Sequence, residues 1–302
     1  MNPPRSVQCA IPASTSNCGS GFDTLGIALT LYNRVRVERR QDGETVGCGF
    51  LEGNEMAREV VAAFFEEAGI DPFPVAVCVE GDVPPARGLG SSVTLRGGIL
   101  ACLRRLAGVA WTSDRLVRLL TRLEGHPDNA SASLLGGFTV SRFSPTPADW
   151  QATMRFEIDP AIRFVAAIPE REVLTAASRV GLPASISFHQ AVGSLNSVAC
   201  LVAALVSGQH EQLRNVVEDH LHQPFRMAGI PGAADAISSG VEAGAYTGWL
   251  SGSGSSVLCV CSREAAPATR EAMLAGFSRH GVEARGLDLG ADNQGIQVSD
   301  EE

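Results

Sequence analysis

Pro84-Pro-Ala-Arg-Gly-Leu-Gly-Ser-Ser92 is the stretch on which the reading of this chain turns. It follows an alternating, strand-like segment, Val75–Glu80, and opens a helical pattern that runs to about Leu106. A loop that enters a helix presents the unpaired N–H groups of the first turn, and the helix dipole adds partial positive charge there. Glycines let anionic oxygens approach the main chain, so the loop is a candidate phosphate cradle. Ser91 and Ser92 add two hydroxyls able to cap the helix or to ligate a hard cation. The same string fits a plain capped helix start equally well, and alone it does not decide between the two. The spacing is not G-x-G-x-x-G, and there is no G-x-S-x-G elbow, so neither a dinucleotide fold nor a serine hydrolase is indicated.

Outward from this loop, the chain mixes strands and helices. Ser6–Ala13 and Val35–Arg39 read as strands, and Asn54–Gly69 as a helix closed by glycine. Ser113–Leu123 reads as a helix and Gly136–Phe143 as a strand. The polar, proline-bearing segment Ser144–Asp149 is the expected linker. Beyond it, Arg163–Ile168, Ser255–Cys261 and Val282–Leu287 are expected strands. Gln190–Ser207, Glu211–His222, Ala233–Ala243 and Glu264–His280 are expected helices, with a frayed acidic end at Ser299–Glu302. The 302 residues suggest two domains, divided as 1–148 and 149–302. The absence of a strict βαβ alternation favours an α+β fold.

Composition excludes several classes. All 24 basic residues are arginine, against 33 acidic residues, for a formal charge of −9. A chain without lysine is not a Schiff-base enzyme, a Walker A ATPase or an ordinary protein kinase. The acidic balance argues against a nucleic-acid partner. The longest apolar run, Val198–Val206, is about half of the roughly 20 residues that span a bilayer, so no membrane association is expected. The start carries no apolar signal segment, and the eight cysteines are scattered without a C-x-x-C pair. Buried, reduced thiols and a cytoplasmic location are the expectation.

A second cluster, Glu124-Gly-His-Pro-Asp-Asn129, follows a helix end. Pro127 biases His126 towards an extended backbone, so His126, Asp128 and Asn129 can splay from one turn. Near a phosphate loop, Glu124 is a natural Mg²⁺ ligand and His126 a candidate acid or base. A surface turn with Asp128 or Asn129 as a cap explains the hexapeptide as well. Two more glycine-serine loops, Asn17-Cys-Gly-Ser-Gly-Phe-Asp23 and Ser251-Gly-Ser-Gly-Ser-Ser256, read alone as turns.

Taken together, the four segments resemble the superfamily that holds galactokinase, mevalonate kinase and homoserine kinase, the GHMP kinases. Pro12–Asp23, Pro85–Ser92 and Ser251–Gly254 resemble the three superfamily motifs, and Glu124–Asn129 is close to the homoserine kinase branch. Thr175-x-x-x-Arg179-x-x-Leu182-Pro183 and Arg226-x-x-x-Ile230-Pro231-Gly232 resemble that branch's substrate arms. The resemblance implies a ribosomal protein S5 domain 2-like N-terminal domain and a ferredoxin-like C-terminal domain. It implies transfer of the ATP γ-phosphoryl to the side-chain hydroxyl of L-homoserine, in threonine biosynthesis, with ATP and Mg²⁺ required. Pro85, Arg87, Gly88, Leu89, Gly90, Ser91 and Ser92 would form the phosphate site, with Asn54 in the adenine pocket. Ser92 and Glu124 would hold the metal. Asn17, Asp23, His126, Asp128, Asn129, Thr175, Arg179, Arg226 and Gly252 would surround the amino acid. Arg179 and Arg226 would grip its carboxylate, as planar guanidiniums do best, and Asp23 would take its ammonium. Asn129 falls where relatives carry a carboxylate base; an amide takes no proton and can only orient the hydroxyl. Val93, Thr94 and Arg96 depart from the small residues usual after the phosphate loop, with Arg96 expected at phosphate or in solvent. A kinase of another small hydroxy compound and a non-catalytic sensor of the same fold are the alternatives, and a homodimer is left open.

Overall fold

The computed structural model describes residues 4–40, 53–173, 175–214 and 216–301. Strand β1 (Ser6–Ser16) pairs antiparallel with β2 (Leu25–Arg39), which is the spine of a six-stranded sheet. Strand β3 (Val75–Gly81) pairs with the second half of β2 and β4 (Phe138–Pro145) with its first residues. The burial of β2 follows this division. Its second half alternates, with Val35 and Val37 inside and Arg34 and Arg36 outside, whereas Leu25–Leu29 are buried on both faces. Helices α1 (Glu55–Ala68), α2 (Ser91–Leu106), α3 (Ser113–Glu124) and α4 (Asp128–Leu135) supply the first core with β1 and β2, built from residues such as Ile11, Val35, Phe64, Ile99 and Leu120.

After β5 (Ala148–Phe156) comes β6 (Ile162–Pro169), in a four-stranded sheet of order β7-β8-β6-β9. The others are β7 (Thr247–Leu250), β8 (Val257–Ser262) and β9 (Ala284–Leu289). Helices α8 (Ala233–Glu242) and α9 (Ala266–Ser278) cover one face of it around Val165, Leu250 and Phe277. The other face shares a core with the first sheet: Leu25, Ile27 and Phe138 meet Phe164, Trp249 and Leu258. Leu201 and Leu205 of the long α6 (Phe188–Ser207) complete it. The two domains are thus joined through apolar packing, which holds the loops at their junction in fixed relation. In sequence, the short α5 (Thr175–Val180) lies between β6 and α6, and α7 (Gln223–Met227) between α6 and α8.

Four expectations change. The proline-bearing stretch 144–149 is no linker but the turn joining β4 to β5, and Pro145 pairs with Ala148. A division at 148/149 therefore passes through a hairpin of the first sheet; we propose the division between β5 and β6, with β10 (Gln297–Glu301) returning to the first sheet. The acidic end is that returning strand, paired with β1 through Ser6–Ala10, not a frayed tail. The helix expected over Glu211–His222 is a single 3-10 turn, His210–Leu213, followed by irregular chain in which Asp219 accepts from the N–H groups of Leu221, His222 and Gln223. That carboxylate competes with the helix for the same donors. Finally, six of the described cysteines are free, but Cys200 is exposed and Cys78 is disulfide-bonded.

Helix α6 is long and apolar enough to cross a membrane by length and composition. It instead packs Ser194, Ser197, Leu201, Ala204 and Leu205 inward and leaves Phe188 and Leu195 exposed.

One glycine couples the sheet to the functional region. A Cβ on Gly26 of β2 would lie 2.2 Å from the carbonyl oxygen of Asp128 at the start of α4. Gly26→Ala must push α4 off the sheet, and overpacking of this kind costs about 1–3 kcal/mol. Equilibrium denaturation should show a loss in that range.

Candidate functional site

Four glycine- or proline-bearing segments, distant in sequence, meet at the domain junction. The loop between β3 and α2 turns through positive φ at Ala86, Gly88 and Gly90. Its carbonyls are spoken for: Leu89 accepts from the Ser14 N–H at 3.1 Å, and the Ser251 hydroxyl lies 2.7 Å from the Gly88 oxygen. The same hydroxyl lies 2.9 Å from that of Thr15, to which the buried Trp249 indole donates at 3.1 Å. The loop 251–256 therefore backs the loop 85–92, with a further bond from the Ser256 N–H to the Arg87 carbonyl. A Cβ on Gly88 would lie 2.1 Å from the Ser251 oxygen, so only glycine permits this approach. Asn17 ties in the first segment. Its Nδ2 donates to the Gly252 carbonyl at 3.1 Å, and its Oδ1 accepts from the Asp23 N–H at 2.9 Å. Asn17 and Asp23 both hold positive φ, a conformation that their surroundings must enforce.

These segments enclose a cavity of about 970 Å³. Of the expected nucleotide and metal residues, Asn54, Pro85, Gly88, Gly90, Ser91, Ser92 and Glu124 line it, and of the expected substrate residues, Asn17, Asp23, His126, Asp128, Asn129, Arg179, Arg226 and Gly252. Among the residues whose side chains are described, two expected ones, Arg87 and Leu89, do not line it. Leu89 is fully buried, and the Arg87 guanidinium donates to the carbonyls of Pro85, Pro169 and Glu170, tying the loop to the end of β6. Their backbones shape the loop while their side chains face elsewhere. Thr175 begins α5, and its side chain lies outside the described residues. Asn54 caps α1, accepting from the Ala57 N–H at 3.0 Å, beside the apolar cavity walls of Met56, Val79, Val83 and Leu95.

Every expected carboxylate in the cavity has a cationic partner. Asp23 takes Arg179 through both oxygens, at 2.6 and 3.0 Å. Glu124 takes Arg96 at 2.9 Å through Oε1 and the Ser92 hydroxyl at 2.9 Å through Oε2. Asp128 sits 2.6 Å from His126 Nδ1 and also accepts from the Asn129 N–H. Burial alone would push His126 down, but the Asp128 charge and hydrogen bond, with Asp23 and Glu124 behind, raise it to about 9. Burial opposes the charge on Asp128 as well, yet the His126 charge and the bonds from Asn129 and Ser16 hold its carboxyl below the usual range. Arg226 differs. Burial and the neighbouring Arg179 lower it to about 10, and its bonds run to the Gly252 carbonyl, the Ser178 carbonyl and His222. Among the described residues it has no carboxylate partner.

Asp23, His126 and Asp128 lie close enough to form a metal-binding group. Their own pairing speaks against it, since a protonated imidazole has no lone pair to give and Asp23 is taken by Arg179. Ser92 and Glu124 offer a hydroxyl and a carboxylate, both hard oxygen donors, 2.9 Å apart at the start of α2. Asn129 uses Nδ2 on the Ser14 hydroxyl at 2.9 Å, leaving its Oδ1 as the other amide group.

Sequence reading missed Phe22, Ser14 and the partners of Arg96. Phe22 is the shared platform: the guanidiniums of Arg179 and Arg226 each stand 5.2 Å from its ring, and His222 stacks on it at 5.1 Å. It stands between Gly21 and Asp23 in the first glycine loop, where an aromatic residue in an otherwise small, polar turn was the available signal.

The charge on His126 has a stability consequence. A folded-state pKa above the unfolded value of about 6.5 contributes stability that is full below that pH and is lost as pH rises through about 9. Denaturation midpoints should fall across that window. In Asp128→Asn the His126 pKa, followed by NMR, should drop well below about 9.

The sequence matches two family models, "GHMP kinases N terminal domain" over residues 55–137 and "GHMP kinases C terminal" over 201–279. It is 36% identical over 294 residues to the homoserine kinase of Moorella thermoacetica, covering 95% of this chain and 98% of that one. With the homoserine kinase of Carboxydothermus hydrogenoformans it shares 38% over 281 residues, covering 91% and 90%. The crystal structure of homoserine kinase from Cytophaga hutchinsonii superposes with a TM-score of 0.85 at 25% identity, covering 98% of both chains. At 15% identity, the mevalonate diphosphate decarboxylase of Enterococcus faecalis shares the fold, with a TM-score of 0.71 over 98% of this chain and 99% of that one. Those full-length matches and the geometry of the junction agree: the chain belongs to the GHMP kinases, in the homoserine kinase family.

Proposed function

We propose that this protein phosphorylates the side-chain hydroxyl of L-homoserine from ATP, yielding O-phospho-L-homoserine for threonine biosynthesis. The observation that carries the reading is the adjacency, in one cavity, of a backbone phosphate cradle and an oppositely charged pair, Asp23 and Arg179, with Arg226 beside it. A free amino acid presents one ammonium and one carboxylate. Its ammonium would replace Arg179 on Asp23, and its carboxylate would take the released Arg179 together with Arg226. The main-chain N–H groups at Gly90–Ser92 would hold phosphate oxygens at the start of α2. Magnesium, held by Ser92 and Glu124, would neutralise phosphate charge that no lysine is present to meet.

Asn129 would orient the hydroxyl through Oδ1, its Nδ2 being held by Ser14. The carboxylates nearest the hydroxyl site are ion-paired, and Asp128 is held below the usual range, so none is poised as a base. Phosphoryl transfer through a loose transition state depends on positioning and charge neutralisation more than on proton removal, which suits an amide at this position. The soluble amino acid and nucleotide are the partners this reading requires, and the cytoplasm, where both occur, is the compartment it fits.

Coupled ADP release with L-homoserine, L-serine and L-threonine in parallel tests the substrate. Turnover should be highest with L-homoserine; strong turnover on a sugar or mevalonate with none on homoserine defeats the reading. Arg226→Met should lower kcat/KM by about 30- to 5,000-fold, the range for truncating one partner of a buried charge pair at about 2–5 kcal/mol. The loss should fall mainly on the KM for the amino acid, with the nucleotide KM little changed.

A further inference from the structure

Arg96, in the second turn of α2, lines the same cavity as Ser92 and Glu124. Its guanidinium is largely buried, 12% exposed, and is fixed from three sides. Nη1 donates to Glu124 Oε1 and to the Leu123 carbonyl, each at 2.9 Å, and Nη2 donates to Glu59 Oε2 at 2.6 Å. Nε is buried without a partner among the described residues. Glu124, 7% exposed, divides its oxygens: Oε1 belongs to Arg96 and Oε2 to the Ser92 hydroxyl. We propose that Arg96 is a positioning residue for the cation site, fixing the Glu124 carboxylate so that Oε2 is presented beside Ser92 at the phosphate loop.

Three physical points support this assignment, which rests on reading Ser92 and Glu124 as the metal ligands. A carboxylate gripped at one oxygen by a rigid planar fork cannot rotate freely about its terminal bond, so its other oxygen keeps one direction. The fork is itself anchored by Glu59 on α1 and by the last turn of α3, so three helices converge on one side chain. The charge also balances suitably. One guanidinium between Glu59 and Glu124 leaves net negative charge for a divalent cation, while preventing Glu124 from standing as a lone buried anion. Hydrogen-bond partners behind metal ligands commonly account for 10- to 100-fold in metal affinity.

The test is nucleotide binding rather than turnover. Affinity for a non-hydrolysable ATP analogue is measured by calorimetry across a magnesium titration and again in EDTA. Arg96→Met should raise the magnesium concentration for half-maximal effect by about 10- to 100-fold and leave the metal-free affinity unchanged. Arg96→Lys should recover only part of the loss, since an ammonium cannot fork between Glu124, Glu59 and the Leu123 carbonyl. Should Arg96→Met fail to fold, Glu59→Gln loosens the same guanidinium from an exposed position and should shift the threshold in the same direction by a smaller factor. An unchanged or lower magnesium threshold overturns the proposal. Equal weakening with and without magnesium also overturns it, making Arg96 a direct phosphate ligand. A wild-type protein whose nucleotide binding ignores magnesium removes the metal reading of Ser92 and Glu124, and the proposal with it; a magnesium-dependent wild type with an unaltered variant removes the proposal alone.

Discussion

The site depends on the packing of Gly88 against Ser251, where a Cβ would lie 2.1 Å from the Ser251 carbonyl oxygen. A glycine there lets a loop of the second domain lie against the loop that opens α2 in the first. Thr15, Trp249 and Ser251 then share a buried chain of hydrogen bonds behind it. The carbonyls of Arg87, Gly88 and Leu89 are taken from behind by Ser256, Ser251 and Ser14. A loop free to satisfy itself would close on its own amides and offer nothing to an anion. The apolar core between the sheets holds the two domains in the relation that this contact needs.

Around that contact each of the cavity's expected carboxylates is paired with a cationic side chain. Asp23 with Arg179, Asp128 with His126 and Glu124 with Arg96 are each short, and each joins elements that are separate in the fold or at a turn. Pairing of this kind compensates charge that the cavity partly removes from water. It also makes the cavity specific. A ligand that divides Asp23 from Arg179 must bring charge of both signs, or it leaves one of them uncompensated. Arg226, the guanidinium without a carboxylate among the described residues, sets the direction in which such a ligand lies.

Much of the fold was legible because its signals are local. The helices Glu55–Ala68 and Ser113–Glu124 begin at side-chain caps, Asn54 and Thr112, and end at glycines, and the spacing of their apolar residues points to one face. The errors came where a local signal had two tertiary outcomes. Prolines and polar residues at 144–149 mark a turn, and whether a turn ends a domain or folds a hairpin back onto its own sheet depends on what the next strand pairs with. The charged stretch 299–301 has little apolar content, so its pairing with β1 is carried by backbone hydrogen bonds that no side chain announces. Over 211–222 the apolar spacing suits a helix, but Asp219 draws three N–H groups into a loop instead.

The functional residues divide the same way. Glycine at 88 and 90, the hydroxyls of Ser91 and Ser92, the Glu124–Asn129 turn and the absence of lysine are properties of residue type and spacing. Segment by segment they leave a phosphate site and plain turns both open; their joint resemblance to the GHMP kinase motifs is what points to a phosphate-transferring enzyme. Which guanidinium serves which carboxylate is not such a property. Arg96 lies 28 positions from Glu124, and Arg179 lies 156 from Asp23. An arginine's reach and charge are the same wherever it stands, so its partner is chosen by which chain segments the core brings within about 3 Å.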